Sequence, residues 1–159
     1  MQPTSDNETS IRRAVTVHVP PVHAFRAFTQ GMGSWWPSKY TWAQQDLKDI
    51  FIEPNEDGHA IEQDTHGHER EWGRVLDIEP PNRIVFSWQI APDRSFQPDL
   101  ARSSEVEVRF VAEGPSRTRV ELEHRSFDRY EDAADWYREG LSGAWTELLD
   151  AYAAAVDAG

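Results

Sequence analysis

The sequence predicts an α+β protein in which a curved antiparallel sheet wraps around a long C-terminal helix. Two observations lead to this prediction. Apolar and polar residues alternate repeatedly between residues 11 and 125, and an apolar stripe at helical spacing follows. Alternation with a period of two is typical of antiparallel strands that bury one face. The order of elements is β-α-α-β6-α, with about seven strands, so the sheet is expected to curl around the last helix.

The first strand is predicted at 11–19, where Val15, Val17 and Val19 share one face. Two prolines end it, and the second of them suits the first turn of a helix, where the missing N–H is no loss. Apolar residues then recur at helical spacing as far as the glycines at 31 and 33. A short helix is therefore expected directly after the first strand.

Six further strands are predicted from alternation and from the turn signals between them. Their expected ranges are 49–53, 59–65, 70–79, 83–90, 104–112 and 117–125. In the range 70–79, alternation places Trp72, Arg74, Leu76 and Ile78 on one face. That face is predicted to be the inward one.

The last segment, from about 133 to 156, has the pattern of an amphipathic helix. At 1.5 Å per residue it would be about 36 Å long, enough to cross a whole sheet. Asp128 and Glu131, three residues apart, resemble a capping box at its start. The apolar stripe consists of Leu141, Trp145, Leu148, Tyr152 and Val156.

The composition excludes several classes of protein. The 159 residues contain no cysteine, which excludes disulfides, thiolate metal sites and a cysteine nucleophile. The net charge of −12 argues against nucleic acid as a partner, because phosphate binding requires a cationic surface. No apolar run approaches the length of a membrane span, and the polar start does not resemble a signal peptide. We expect a cytoplasmic protein with a disordered leader at 1–10 and one domain at 11–157, and the sequence leaves a homodimer open as a partner.

Six short stretches carry a resemblance to a known family. They are VPPVHAF at 19–25, WW at 35–36, WGRVL at 72–76, PPNRIVFSW at 80–88, TRVELEH at 118–124 and WTELL at 145–149. In this order they resemble the helix-grip (SRPBCC or START-like) superfamily. Within it, the sequence is similar to the bacterial single-domain family named after the C-terminal domain of the activator of heat-shock protein 90 ATPase.

The resemblance implies a cavity between the long helix and the concave face of the sheet. In many relatives such a cavity holds an apolar or aromatic small molecule. The superfamily also contains lipid carriers, hormone receptors, polyketide cyclases and parts of co-chaperones, so fold alone does not decide between these functions.

The candidate ligand-binding residues are those predicted to face this cavity from the sheet and the helix. They are Trp72, Arg74, Phe86, Trp88, Phe110, Leu122, His124, Tyr137, Leu141 and Trp145. Arg74 has two interpretations: it binds a ligand carboxylate, or it lies at a wet cavity mouth and pairs with Glu62 or Glu71. His124 is either a general acid–base group or a hydrogen-bonded wall residue.

Two glycines, Gly140 and Gly143, lie in the middle of the predicted long helix. Glycine disfavours helix by about 1 kcal/mol relative to alanine, so its presence here suggests a spatial reason. We expect a pocket at this level of the helix, for an aromatic or fatty carboxylic acid whose acid end binds Arg74. The same residues nearly match a nucleophile elbow, but the last glycine of that motif is missing.

No metal and no cofactor are predicted. His66, His68 and Glu69 could ligate a metal, but a fixed third ligand is not evident, and we interpret the segment as a polar turn. Three functions remain open. The leading one is a binding protein for an apolar or aromatic molecule. The second is a cyclase- or hydrolase-like enzyme that uses the same cavity, and the third is a co-chaperone-like stress protein.

Overall fold

The computed structural model describes residues 9–159, so the predicted leader at 1–10 falls largely outside the described residues. Within that part of the chain, seven antiparallel strands form one curled sheet against a long C-terminal helix, which confirms the predicted fold class. The strands are β1 (Ile11–Val17), β2 (Leu47–Ile52), β3 (His59–Asp64), β4 (Glu69–Glu79), β5 (Arg83–Trp88), β6 (Ser104–Gly114) and β7 (Arg117–Arg125). The α-helices are α1 (Pro21–Phe28) and α2 (Ala134–Ala158).

The order of strands in the sheet is β1-β7-β6-β5-β4-β3-β2. Consecutive strands from β2 to β7 are therefore neighbours, as short hairpin connections require. The first strand instead pairs with the last, from Ile11 opposite His124 to Val17 opposite Thr118. Short 3₁₀ helices connect the elements at Met32–Ser34, Ser38–Tyr40, Gln44–Asp46, Leu100–Arg102 and Phe127–Ala133.

The core lies between α2 and the concave face of the sheet. Of the apolar stripe predicted for the helix, Leu141 is half-buried and the other four members are buried. Four indole rings meet at the centre, and their neighbouring centroids lie 5.7–6.3 Å apart. The rings belong to Trp36, Trp72, Trp88 and Trp145.

The start of α2 differs from the prediction. Asp128 lies in the preceding 3₁₀ segment, and Glu131 has a left-handed φ of 53° where the chain kinks. The residue before the helix, Ala133, offers no side-chain cap. The capping-box interpretation is therefore wrong, because the kink separates these two residues from the helix.

The alternation predicted for β4 is wrong at Arg74 and Leu76. The register shifts twice, once beside Trp72 and once between Val75 and Asp77, and each extra residue exchanges the inward and outward faces. Trp72 and Val75 point into the core, while the side chain of Arg74 is 45% exposed. Its Nε lies 3.9 Å from Oε2 of Glu71, so the pairing with Glu71 in the second interpretation is present, although Arg74 does not lie at the mouth of a cavity.

The first of these bulges depends on Gly73. A Cβ at this position would lie 2.3 Å from the carbonyl oxygen of Ser87, so no other residue fits without a shift of the neighbouring strand. An isolated glycine within a strand often marks such a close approach. Among residues 9–159, the structure contains no helix with the length and apolarity needed to cross a membrane.

Candidate functional site

A cavity of about 380 Å³ lies beside the N-terminal half of α2. Its other walls are the loop at 39–44, which joins two short 3₁₀ helices, the middle of β3, and the end of β5 with the loop that follows. The lining residues are Lys39, Tyr40, Thr41, Trp42, Gln44, Glu62, Trp88, Ile90, Pro92, Arg94, Trp136, Tyr137, Gly140, Leu141, Ala144 and Leu148. Its volume is at the lower end of the range for small-molecule sites, about 300–1,000 Å³.

Aromatic rings make up much of the wall, and two of them are fixed by hydrogen bonds. The indole N–H of Trp88 donates to the Tyr137 hydroxyl at 3.0 Å, and that hydroxyl donates to the carbonyl of Ile90 at 2.6 Å. Burial raises the pKa of Tyr137, so its hydroxyl stays protonated at neutral pH. Because both its donor and its acceptor are engaged, Tyr137 offers a ligand mainly the face of its ring.

The helix leaves its side of the cavity open at Gly140. A Cβ built on this residue meets no atom within 4 Å, and the same is true of Gly143 one turn further on. Only Gly140 lines the cavity. Gly140 therefore borders the cavity and Gly143 does not, although both have free space beside the helix.

Trp42 links two walls of the cavity. Its backbone N–H donates to Oε1 of Glu62 at 3.1 Å, and its indole N–H donates to the carbonyl of Arg94 at 2.6 Å. Arg94 has a left-handed φ of 75°, which is uncommon for a residue with a side chain. The two loops on either side of the cavity are thus held together by one indole ring.

The most deeply buried polar side chain of the cavity wall is that of Glu62. This residue is 4% exposed, and Oε2 accepts the backbone N–H of Ala43 at 2.9 Å, while Oε1 accepts that of Trp42. Each carboxylate oxygen therefore has one fixed hydrogen bond. These two bonds hold the side chain of Glu62 against the loop at 39–44 and orient it at the cavity wall.

The cationic groups lie at the rim. Nζ of Lys39 pairs with Glu147 at 2.8 Å, and this hydrogen bond raises the pKa of Lys39. The Tyr40 hydroxyl donates to the other oxygen of the same carboxylate at 2.8 Å. The guanidinium of Arg94 is exposed and, within residues 9–159, forms no ion pair with a carboxylate.

His124 lies outside the cavity, in a buried hydrogen-bond chain. The indole N–H of Trp145 donates to its Nδ1 at 2.9 Å, so the proton of the neutral ring is on Nε2, 2.7 Å from the hydroxyl of Ser104. That hydroxyl donates to Tyr130 at 2.7 Å, and Tyr130 donates to the carbonyl of Trp88 at 3.3 Å. Burial lowers the pKa of His124 to about 3, so the ring is neutral at physiological pH.

The ten residues predicted for the site are therefore divided between three places. Trp88, Tyr137 and Leu141 line the cavity. Arg74, which was expected to bind a ligand carboxylate inside the cavity, lies on the outer face of the sheet and is not among the lining residues, so this placement is wrong. The remaining six are buried in the core behind the cavity wall: Trp72, Phe86, Phe110, Leu122, His124 and Trp145.

The turn after β3 carries the two histidines considered as metal ligands. His68 Nδ1 lies 3.3 Å from Asp64, and His66 Nε2 lies 3.6 Å from Asp46. No group of three or more potential ligands converges anywhere in the described part of the chain.

Comparison with known proteins identifies one family. The family model described as activator of Hsp90 ATPase homolog 1-like protein matches residues 18–156. A comparison with curated protein sequences gave no significant match.

Solved structures provide further likenesses. The anthrahydroquino-γ-pyrone synthase Txn09, solved in complex with a compound called SUM, is 31% identical, with 92% of this chain and 96% of that chain covered and a TM-score of 0.64. The self-sacrificing resistance protein CalC from Micromonospora echinospora is 28% identical, with coverages of 93% and 94% and a TM-score of 0.64. Protein MLL2253 from Mesorhizobium loti is 16% identical, with coverages of 93% and 96% and a TM-score of 0.66, and shows the fold alone.

Proposed function

The chain belongs to the family of activator of Hsp90 ATPase homolog 1-like proteins, and on that premise we propose that it binds a flat aromatic small molecule in the cavity beside α2. One observation carries the proposal: five of the sixteen lining residues are aromatic, aliphatic residues extend the apolar wall, and Glu62 is held at a fixed position beside it. That combination is the usual anatomy of a small-molecule site. Apolar walls favour the ring system, and polar groups select its orientation.

One of the similar proteins supports an aromatic ligand. The name of Txn09 describes a synthase of a fused-ring aromatic compound, and Txn09 is 31% identical to this chain over most of both lengths. CalC, at 28% identity, is named as a resistance protein, and that name specifies no ligand. A flat ring system could lie against the faces of Trp88 and Tyr137 with Gly140 leaving room at the mouth.

The experiment is a titration with N-phenyl-1-naphthylamine, an uncharged aromatic probe whose fluorescence rises in apolar surroundings. We expect saturable binding to one site per chain. Gly140→Leu should weaken binding at least about tenfold, because the new side chain would occupy the cavity mouth. Gly143→Leu is the matched control, since it makes the same change one turn away, outside the cavity.

Both variants are expected to fold, because the added Cβ meets no atom within 4 Å at either position. If binding is not saturable, or if the two variants weaken it equally, the cavity is not the binding site.

A cyclase-like activity in the same cavity is the second candidate. It is favoured by the likeness to a synthase and by Glu62, the one carboxylate among the lining residues. His124 would not take part, because it lies behind the wall. The third function, a co-chaperone-like role, stays a prediction that depends on the family description.

A further inference from the structure

We propose that Glu62 is the polar anchor of the cavity, and that it selects aromatic ligands bearing a hydrogen-bond donor, such as a phenolic hydroxyl, over ligands with only acceptors or with a carboxylate. The inference depends on the proposed function, since it assigns the ligand class of the same cavity. It also reverses the polarity expected from the sequence, in which Arg74 would bind an acid.

The first step is the position of Glu62. Its side chain lies on the concave face of β3, is 4% exposed, and borders the cavity. The bonds from the N–H groups of Trp42 and Ala43, at 3.1 and 2.9 Å, come from the wall and not from the cavity. A carboxylate held in this way is pre-organised, so a ligand does not have to order it on binding.

The second step is the charge. Buried carboxylates are normally paired with a cation, because removal from water disfavours the ionised form. Within residues 9–159, no Lys, Arg or His lies within ion-pair distance of Glu62. Two cationic side chains line the same cavity, but Lys39 pairs with Glu147 and Arg94 is exposed at the rim. In the described part of the chain, the carboxylate is therefore partnered by two backbone N–H groups and by no cation.

The third step is the remaining acceptor capacity. An ionised carboxylate has about four lone-pair sites, and the structure fills two of them. The free sites accept hydrogen bonds and donate none. A ligand hydroxyl or N–H therefore gains a charge-assisted bond, an ether oxygen gains nothing, and a ligand carboxylate is repelled.

The test compares three probes of nearly the same shape: 2-naphthol, 2-methoxynaphthalene and 2-naphthoate. Each displaces N-phenyl-1-naphthylamine from the wild-type protein, from Glu62→Gln and from Glu69→Gln, a control that removes an exposed carboxylate on the neighbouring strand. In the wild-type protein and the control, 2-naphthol should bind about tenfold more tightly than 2-methoxynaphthalene, and 2-naphthoate most weakly.

In Glu62→Gln, the preference for 2-naphthol should fall below about threefold while 2-methoxynaphthalene is little affected. Glu62 also holds the loop at 39–44. A purely structural role would weaken the binding of both probes alike, and that result would overturn the proposal. If Glu62→Gln does not fold, the order of the affinities of the three probes for the wild-type protein still tests the proposal. Equal affinity for the two uncharged probes, or tightest binding of 2-naphthoate, would refute the role of Glu62 while leaving the aromatic cavity intact.

Discussion

Acidification is expected to destabilise the protein through His124. The ring is fully buried, and its one hydrogen bond from Trp145 occupies the nitrogen that would have to take up a proton. Its pKa is lowered from an ordinary 6.5 to about 3. Because the pKa is lower in the folded than in the unfolded state, the unfolded chain binds more protons between these values. The stabilisation is therefore complete above about pH 6.5 and is lost progressively as the pH falls towards 3.

The magnitude follows from the same two values. At about pH 5, the histidine of the unfolded chain is almost fully protonated and that of the folded chain almost fully neutral. A difference of one proton changes the free energy of unfolding by about 1.36 kcal/mol per pH unit. Over the roughly 1.5 units below the ordinary pKa, His124 should account for a loss of about 2 kcal/mol.

The assay is urea-induced unfolding at about pH 7 and pH 5 for the wild-type protein, His124→Gln and His66→Gln. The glutamine amide can still accept the bond from Trp145, but it does not titrate. The loss of stability on acidification should be about 2 kcal/mol smaller in His124→Gln than in the wild-type protein, and His66→Gln, in an exposed turn, should resemble the wild-type protein. The reasoning is refuted if His124→Gln and wild type lose the same stability within about 0.5 kcal/mol, or if NMR shows the His124 ring of the folded protein titrating between these pH values.

Two other predictions concern the core and the histidine turn. Leu148 is 1% exposed, so Leu148→Ala should lower the free energy of unfolding by about 2–5 kcal/mol in the same urea experiment. Leu76 lies on the outer face, so Leu76→Ala should lower that free energy by less than about 0.5 kcal/mol. A loss for Leu148→Ala as small as that of Leu76→Ala would mean that α2 is not docked. The double variant His66→Ala/His68→Ala should keep the melting temperature of the wild-type protein with and without EDTA; stoichiometric zinc that is present in the purified protein and absent from the double variant would contradict this.

The fold could be predicted because its signals are local. Each strand carries its own alternation, and the stripe from Trp145 to Val156 has helical spacing, so element types and order follow from short windows. The order of the elements then predicted that the sheet curls around the last helix. The error in β4 has a physical cause: alternation assumes an unbroken ladder, and two extra residues exchange its faces. Gly73 was the available signal, since a lone glycine in a strand often marks a bulge.

The site was harder to predict because much of it comes from loops. Trp42 and Arg94 lie in irregular segments, where no periodicity indicates which way a side chain points, and only the tertiary arrangement brings them together. Glu62 was considered as a partner for Arg74. A carboxylate on the inward face contradicts the pattern of a buried strand, and its compensation by Trp42 and Ala43 depends on contacts 19 and 20 residues away.

The pairing of the first strand with the last has a consequence for how the protein is made. Arg12 and its partner Glu123 are 111 residues apart in the sequence, although they lie on adjacent strands. During synthesis β1 leaves the ribosome first, yet it has no neighbour until β7 follows. Contacts between distant parts of a chain slow folding, and a strand is prone to aggregation until it pairs with its neighbour in the sheet. The N-terminal strand is therefore the first part of the sheet to be translated and among the last to pair with a neighbouring strand.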